Sequence, residues 1–193
     1  MGPMTTELRR WDLRDAPALQ VALAASPDLA VQLGGGTDPR DLEACERLIA
    51  AQLDAWGPAH FAFAISVDGG VVGAVSLSHV EHVHDTAWVS YWLAASHRGR
   101  GLATQAVTTV AAWAFDTLGL FRLELGHRVN NPASCHVARR AGFVVEGTER
   151  RKLRYGTERF DVETHARLRT DPAPPDPVWP IVGLDRVVAL GAR

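Results

Sequence analysis

The sequence predicts an α+β (or α/β) domain built around one mixed sheet with helices packed on it. Three observations predict it. Apolar residues switch repeatedly between alternate and helical spacing. Cap and turn residues punctuate the switches. Hydrophobic residues make up 47% of the 193, enough for one substantial core within one domain.

The elements follow in order. A short strand spans Glu7 to Trp11, and a helix follows with Asp15 as N-cap and Pro17 in its first turn. The stretch "VQLGGGTDPRD" reads as loop. From Asp41 a second helix places Leu42, Cys45, Ile49 and Leu53 on one face, and Gly57 stops it. The period then changes. Phe61, Phe63, Ile65 and Val67 alternate, "DGG" turns the chain, and Val71 to Val80 returns as a second strand of a hairpin. "DTAWVSYWLAA" is a further strand. "GLATQAVTTVAAWAFDTLGL" is the clearest helix, with Leu102, Ala106, Val110 and Ala114 stacked and Gly119 as its stop. "FRLELGHRV" is a strand. "NPASCHVARRAG" carries both ends of a helix, with Asn131 as N-cap, Pro132 at the first position and Gly142 beyond the last turn. Two more strands lie between Phe143 and Arg169. The predicted order is β–α–α–β–β–β–α–β–α–β–β.

The domain is expected over residues 1–170, followed by a proline-rich tail over 171–193. Five prolines in "PAPPDPVWP" bar a helix or a central strand there. Trp179, Ile181, Val182, Leu184 and Val187 give the tail an apolar surface to dock. The formal net charge of −2 supplies no basic field for nucleic acid. No run approaches the roughly 18 apolar residues of a membrane span. Two cysteines, Cys45 and Cys135, make neither a disulfide framework nor a metal-type spacing. With no apolar leader in "MGPMTTELRRWDLRD", a reducing cytoplasm is the expected compartment.

The turn Arg98-Gly99-Arg100-Gly101-Leu102-Ala103 sits where a strand ends and a helix begins. N–H groups at a helix start lack intrahelical partners and carry the positive end of the dipole. Glycine and alanine leave them accessible, and two arginines add charged donors, so the turn is a candidate anion cradle. A plain strand–helix turn with solvated arginines is the alternative reading.

This stretch resembles the acyl-coenzyme A signature of the GCN5-related N-acetyltransferases (GNATs). "TAWVSYWLAASHRGRGLA" and "FRLELGHRVNNPASCHVARRAGFVVEGTER" are similar to the RimJ/RimL-like branch that modifies ribosomal-protein N-termini. The resemblance covers about residues 6 to 170 and implies a mixed, mostly antiparallel sheet with a splayed strand pair. It also implies acetyl-CoA as co-substrate, a primary-amine acceptor (a protein N-terminus or a small amine) and no metal. Neither nucleic acid nor membrane is an expected partner, and a homodimer is among the assemblies it allows. A non-catalytic acyl-CoA sensor of the same fold is the rival reading.

In that likeness the backbones of Tyr91, Trp92 and Leu93 meet the pantetheine arm. The N–H groups from Arg98 through Gly99, Arg100, Gly101, Leu102 and Ala103 to Thr104 meet the diphosphate. Arg139 and Arg140 are candidates for the adenosine 3′-phosphate. Asn131 positions the arm, and Ser134 protonates the leaving thiolate, unless it is only a first-turn capping hydroxyl. The family's usual base glutamate falls on Leu153 here. Glu81 is therefore the substitute candidate, with His79, His82, His84 and Glu149 as others. The run "HVEHVHD" lacks a third ligand for a metal. His165 stands where relatives often carry tyrosine.

Overall fold

The computed structural model describes residues 4–26, 29, 32–33, 38 and 41–184. Most of the loop over 31–41, and Val187, lie outside the described residues. Strands β1 (Thr6–Arg10), β2 (His60–Val67), β3 (Gly70–Glu81), β4 (Thr86–Leu93), β5 (Arg122–Arg128), β6 (Val144–Tyr155), β7 (Glu158–Leu168) and β8 (Ile181–Val182) form one sheet in the order β6-β7-β5-β4-β3-β2-β1-β8. Helices α1 (Ala16–Ala24), α2 (Leu42–Leu48), α3 (Leu102–Asp116) and α4 (Pro132–Arg140) flank it. Among the described residues no helix is long and apolar enough to cross a membrane.

The two faces of β2 explain the layers. Phe61, Phe63 and Ile65 pack with α3, while Ala64 packs with α1 and α2. Every residue from Phe61 to Ser66 is buried. Alternation along β2 therefore separates one helical layer from the other, not core from solvent.

Local chemistry departs from expectation at several points. Asp15 is the N-cap residue of α1, as expected, but its side chain makes no cap bond there; Asp12 caps the preceding 3-10 turn over Leu13–Asp15, accepting from Arg14 N–H at 2.9 Å. Asp15 answers from the third position of that capping box, accepting from Asp12 N–H, and binds Arg9 through both oxygens at 2.8 Å. The second helix changes to a π-helical turn over Ile49–Leu53. The proline-rich segment docks on its own chain. Trp179 is buried, its N–H donates to Thr109 Oγ1 at 2.9 Å, and β8 pairs in parallel with β1.

The pair β4 and β5 positions the site. They are parallel and joined through α3, so the start of α3 lies at the C-terminal end of β4. Their pairing covers only Thr86–Trp88 against Arg122–Glu124. Beyond it β4 stays with β3 as far as Leu93, and β5 stays with β7 as far as Arg128. The strands therefore part like a V. The indole of Trp88 lies against β5 there; a Cβ on Gly126 would come within 3.1 Å of it.

Candidate functional site

A cavity of about 580 Å³ opens between the parted strands and the starts of α3 and α4. Its walls include Tyr91, Trp92 and Leu93 of β4, the turn at Arg98, Gly99 and Gly101, and Leu102, Ala103 and Thr104 of α3. Asn131 and Ser134 close the other side. Eleven of the twelve residues expected to hold the cofactor thus face one space; Arg100 is the exception.

The turn works as its glycines require. Gly99 and Gly101 have φ of +74° and +77°, a region costly for any other residue, and the second is the N-cap of α3. A Cβ at either would meet nothing within 4 Å, so the space in front of them is open. No side chain caps α3, and Gln105 N–H is the first to reach back, to Gly101 O. The N–H groups of Leu102, Ala103 and Thr104 are left for a ligand. Among the described residues the edge of β4 from Val89 to Leu93 is likewise without a strand partner on the β5 side. An anionic, extended molecule with amide groups fits this pair of features, as acyl-CoA does.

The arginines brace the turn instead of reaching into it. Arg98 donates to Leu93 O at 3.0 Å and to Ser26 Oγ at 3.2 Å. Arg100, which does not line the cavity, donates from its side chain to Ser96 O at 3.1 Å. Arg140 pairs with Asp176 of the docked tail, and neither it nor Arg139 lines the cavity.

On α4, Asn131 Oδ1 accepts from Ser134 N–H at 3.1 Å, the expected cap. Ser134 Oγ lies 2.7 Å from Tyr91 Oη, which also donates to Ser134 O at 3.1 Å. Burial pushes the Tyr91 phenol up to about 12, against the opposing pull of its bond to Ser134. It therefore stays protonated at neutral pH. This pairing of a strand tyrosine with a helix serine has no local sequence signal, because 43 residues separate them.

Glu81 is a correction. It is not among the cavity residues. Its carboxylate accepts from Val83 N–H at 3.0 Å, His84 N–H at 3.1 Å and Thr86 Oγ at 3.0 Å, closing the turn between β3 and β4. Those bonds outweigh desolvation and hold its pKa down. His79 bonds Ser78, His82 faces Asp85 and Glu149 faces Lys152, all at exposed positions. No carboxylate is among the described residues lining the cavity; Arg98, Arg128 and His136 are its charged or basic side chains. Arg128, Asn130 and His136 were not singled out from the sequence; the last two follow from the helical and turn geometry beside Asn131.

His165 neither faces the cavity nor merely fills space. It is fully buried, with Nε2 at 2.9 Å from His127 Nε2 and 3.0 Å from Glu163 Oε1. Burial, then the neighbouring His127, lowers its pKa. Cys135 also turns to Glu163, its Sγ at 3.4 Å.

The chain is similar to known proteins. The ribosomal-protein-serine acetyltransferase of Escherichia coli (strain K12) is 32% identical over 106 residues, 55% of this chain and 59% of that protein. The spermidine N(1)-acetyltransferase of the same strain is 34% identical over 85 residues, 44% of this chain and 46% of that protein. These matches span less than two thirds of either relative's length. The solved structure of Mycobacterium smegmatis RimJ in complex with CoA-disulfide superposes with a TM-score of 0.74 at 26% identity, covering 87% of this chain and 86% of that one. The acetyltransferase (GNAT) domain matches residues 6–144, which contain the parted strands, the glycine turn and Ser134, and the chain belongs to that family.

Proposed function

We propose that the protein transfers the acetyl group of acetyl-CoA to a primary amine by direct attack in a ternary complex, and that the amine is a protein N-terminus. One observation carries this reading: an uncapped helix start, an unpaired strand edge and a hydroxyl pair line the same cleft. The first-turn N–H groups of α3 hold the diphosphate. The edge from Val89 to Leu93 bonds the pantetheine amides as an added strand would. Tyr91 and Ser134 meet the sulfur.

The neutral amine attacks the thioester carbonyl, a C–N bond forms, and the C–S bond breaks as CoA thiolate leaves. Near pH 7 the phenol of Tyr91, at about 12, is too weak an acid to protonate outright a thiolate of ordinary pKa about 8.5. The pair therefore donates a hydrogen bond and relays a proton, while the proton itself comes from the attacking nitrogen, which turns acidic once bonded to carbon. Holding both reactants in line contributes up to roughly 7–11 kcal/mol. Both cysteines are free, which fits a reducing compartment such as the cytoplasm.

The comparison favours a protein amine over a polyamine: the match to the ribosomal-protein relative is the longer, 106 residues against 85. An acetyl-CoA-dependent thiol-release assay across N-terminal peptides, spermidine and aminoglycosides tests the reading. Peptides are expected to give the highest kcat/KM. Highest turnover with spermidine overturns the acceptor; coenzyme binding without turnover on any amine leaves an acyl-CoA sensor.

A further inference from the structure

Beneath α4, on the helix-covered face of the sheet, four side chains with lone pairs converge. In the antiparallel pairing of β5 and β7, His127 lies opposite Glu163, and His165 follows two residues later on the same face. Cys135 of α4 reaches the same spot. One ligand atom from each of the four lies within 4.8 Å of all the others. Glu163 Oε1 is the hub, 3.0 Å from His165 Nε2, 3.4 Å from Cys135 Sγ and 3.5 Å from His127 Nε2.

The protons say what the spot can take. His127 Nδ1 lies 3.0 Å from the carbonyl oxygen of Arg128. A carbonyl only accepts, so Nδ1 carries the proton and a neutral ring leaves Nε2 as a lone pair. That lone pair points at the Nε2 of His165, 2.9 Å away. Both rings are buried, at 5% and 1% exposure. Two imidazoles, a carboxylate and a thiol thus aim at one small volume, with a carbonyl orienting one ring from behind, as partners of metal-bound histidines do.

We infer that His127, Cys135, Glu163 and His165 bind one zinc-type divalent cation. The donor set selects the metal: nitrogen and thiolate sulfur suit zinc or cobalt and not magnesium or calcium. The charges balance, since a thiolate and a carboxylate offset two positive charges and the imidazoles stay neutral; binding releases the thiol proton and moves the His165 proton from Nε2, where it is shared with His127 and Glu163, to Nδ1. The distances are close to those required. Tetrahedral bonds of about 2.0–2.3 Å set neighbouring donors roughly 3.3–3.7 Å apart. Four of the six separations, 2.9 to 3.5 Å, need a slight opening, and the two between Cys135 and the histidines, within 4.8 Å, a closing of about 1 Å at most. Four protein ligands make a closed, structural site. It ties the first turns of α4, which carry Asn131 and Ser134, to β5 and β7. The metal steadies that side of the cleft and has no part in acetyl transfer, so the inference stands whatever amine is used. The sequence signals no such site, because Cys135 and Glu163 are 28 residues apart.

Full-length protein stripped with chelator is titrated with cobalt(II) and then zinc(II). One equivalent of cobalt is expected to give the visible bands of a tetrahedral site and a thiolate charge-transfer band, both removed by one equivalent of zinc. Cys135→Ser is expected to lose the charge-transfer band. It should weaken zinc binding more than about 100-fold, since even outer-shell changes cost about 10–100-fold. Zinc should raise the melting temperature of the wild type and not that of Cys135→Ser or Glu163→Gln; the second variant serves if the first does not fold. Folded, stripped wild type without a charge-transfer band overturns the inference, as does a band that persists in Cys135→Ser.

Discussion

Ser134 and Tyr91 share one hydrogen bond at 2.7 Å in the wall of the cleft, so their contributions cannot be independent. Ser134→Ala and Tyr91→Phe are each expected to lower kcat about tenfold or more, within the usual range of acid–base effects, while CoA affinity changes little. The double variant should be less than additive, with a coupling of about 0.5–3 kcal/mol in a double-mutant cycle. Full additivity in kcat would show that the two hydroxyls do not act together. Asn131 was legible in the sequence because a helix cap acts across three residues; Ser134 was expected through family likeness. Glu81 was misread for a related reason. A carboxylate's role depends on what it bonds, and the turn at Val83, His84 and Thr86 holds this one.

At the scale of elements, the start of α3 carries the function. Gly101 is its N-cap, in the left-handed region, with open space before it. Gly101→Glu places a carboxylate against the N–H groups meant for a diphosphate. Calorimetry is expected to show CoA affinity reduced by at least about tenfold, the loss of roughly 1.4 kcal/mol. Gly101→Ala should cost about 1–2 kcal/mol of stability from backbone strain, and its binding separates strain from charge. Unchanged CoA affinity in Gly101→Glu would remove α3 from the site. The strand and helix were both readable from their apolar periods. The parting of β4 from β5 was expected only through family likeness, because no residue pattern within β4 states where its neighbour leaves. Where they part, Trp88 lies against Gly126, a contact between distant segments.

At the scale of the whole molecule, the last described residues close the sheet. Trp179 is buried against α3, and Ile181–Val182 extends the edge at β1. Ending the chain after Asp171 is expected to cost about 3–5 kcal/mol, the range for losing a buried tryptophan, read as a lower urea midpoint with an unchanged oligomeric state. An unchanged midpoint would show that this docking carries no stability. The sequence by itself determined the helices, most strands, the glycine turn and the cap at Asn131, because periods, caps and turns act through bonds only a few residues long. Tertiary structure alone decided which distant side chains meet: Tyr91 with Ser134, Trp179 with Thr109, and His127 with Cys135, Glu163 and His165. Those meetings depend on strand register and helix packing, in which the shift of one residue turns a side chain to the opposite face.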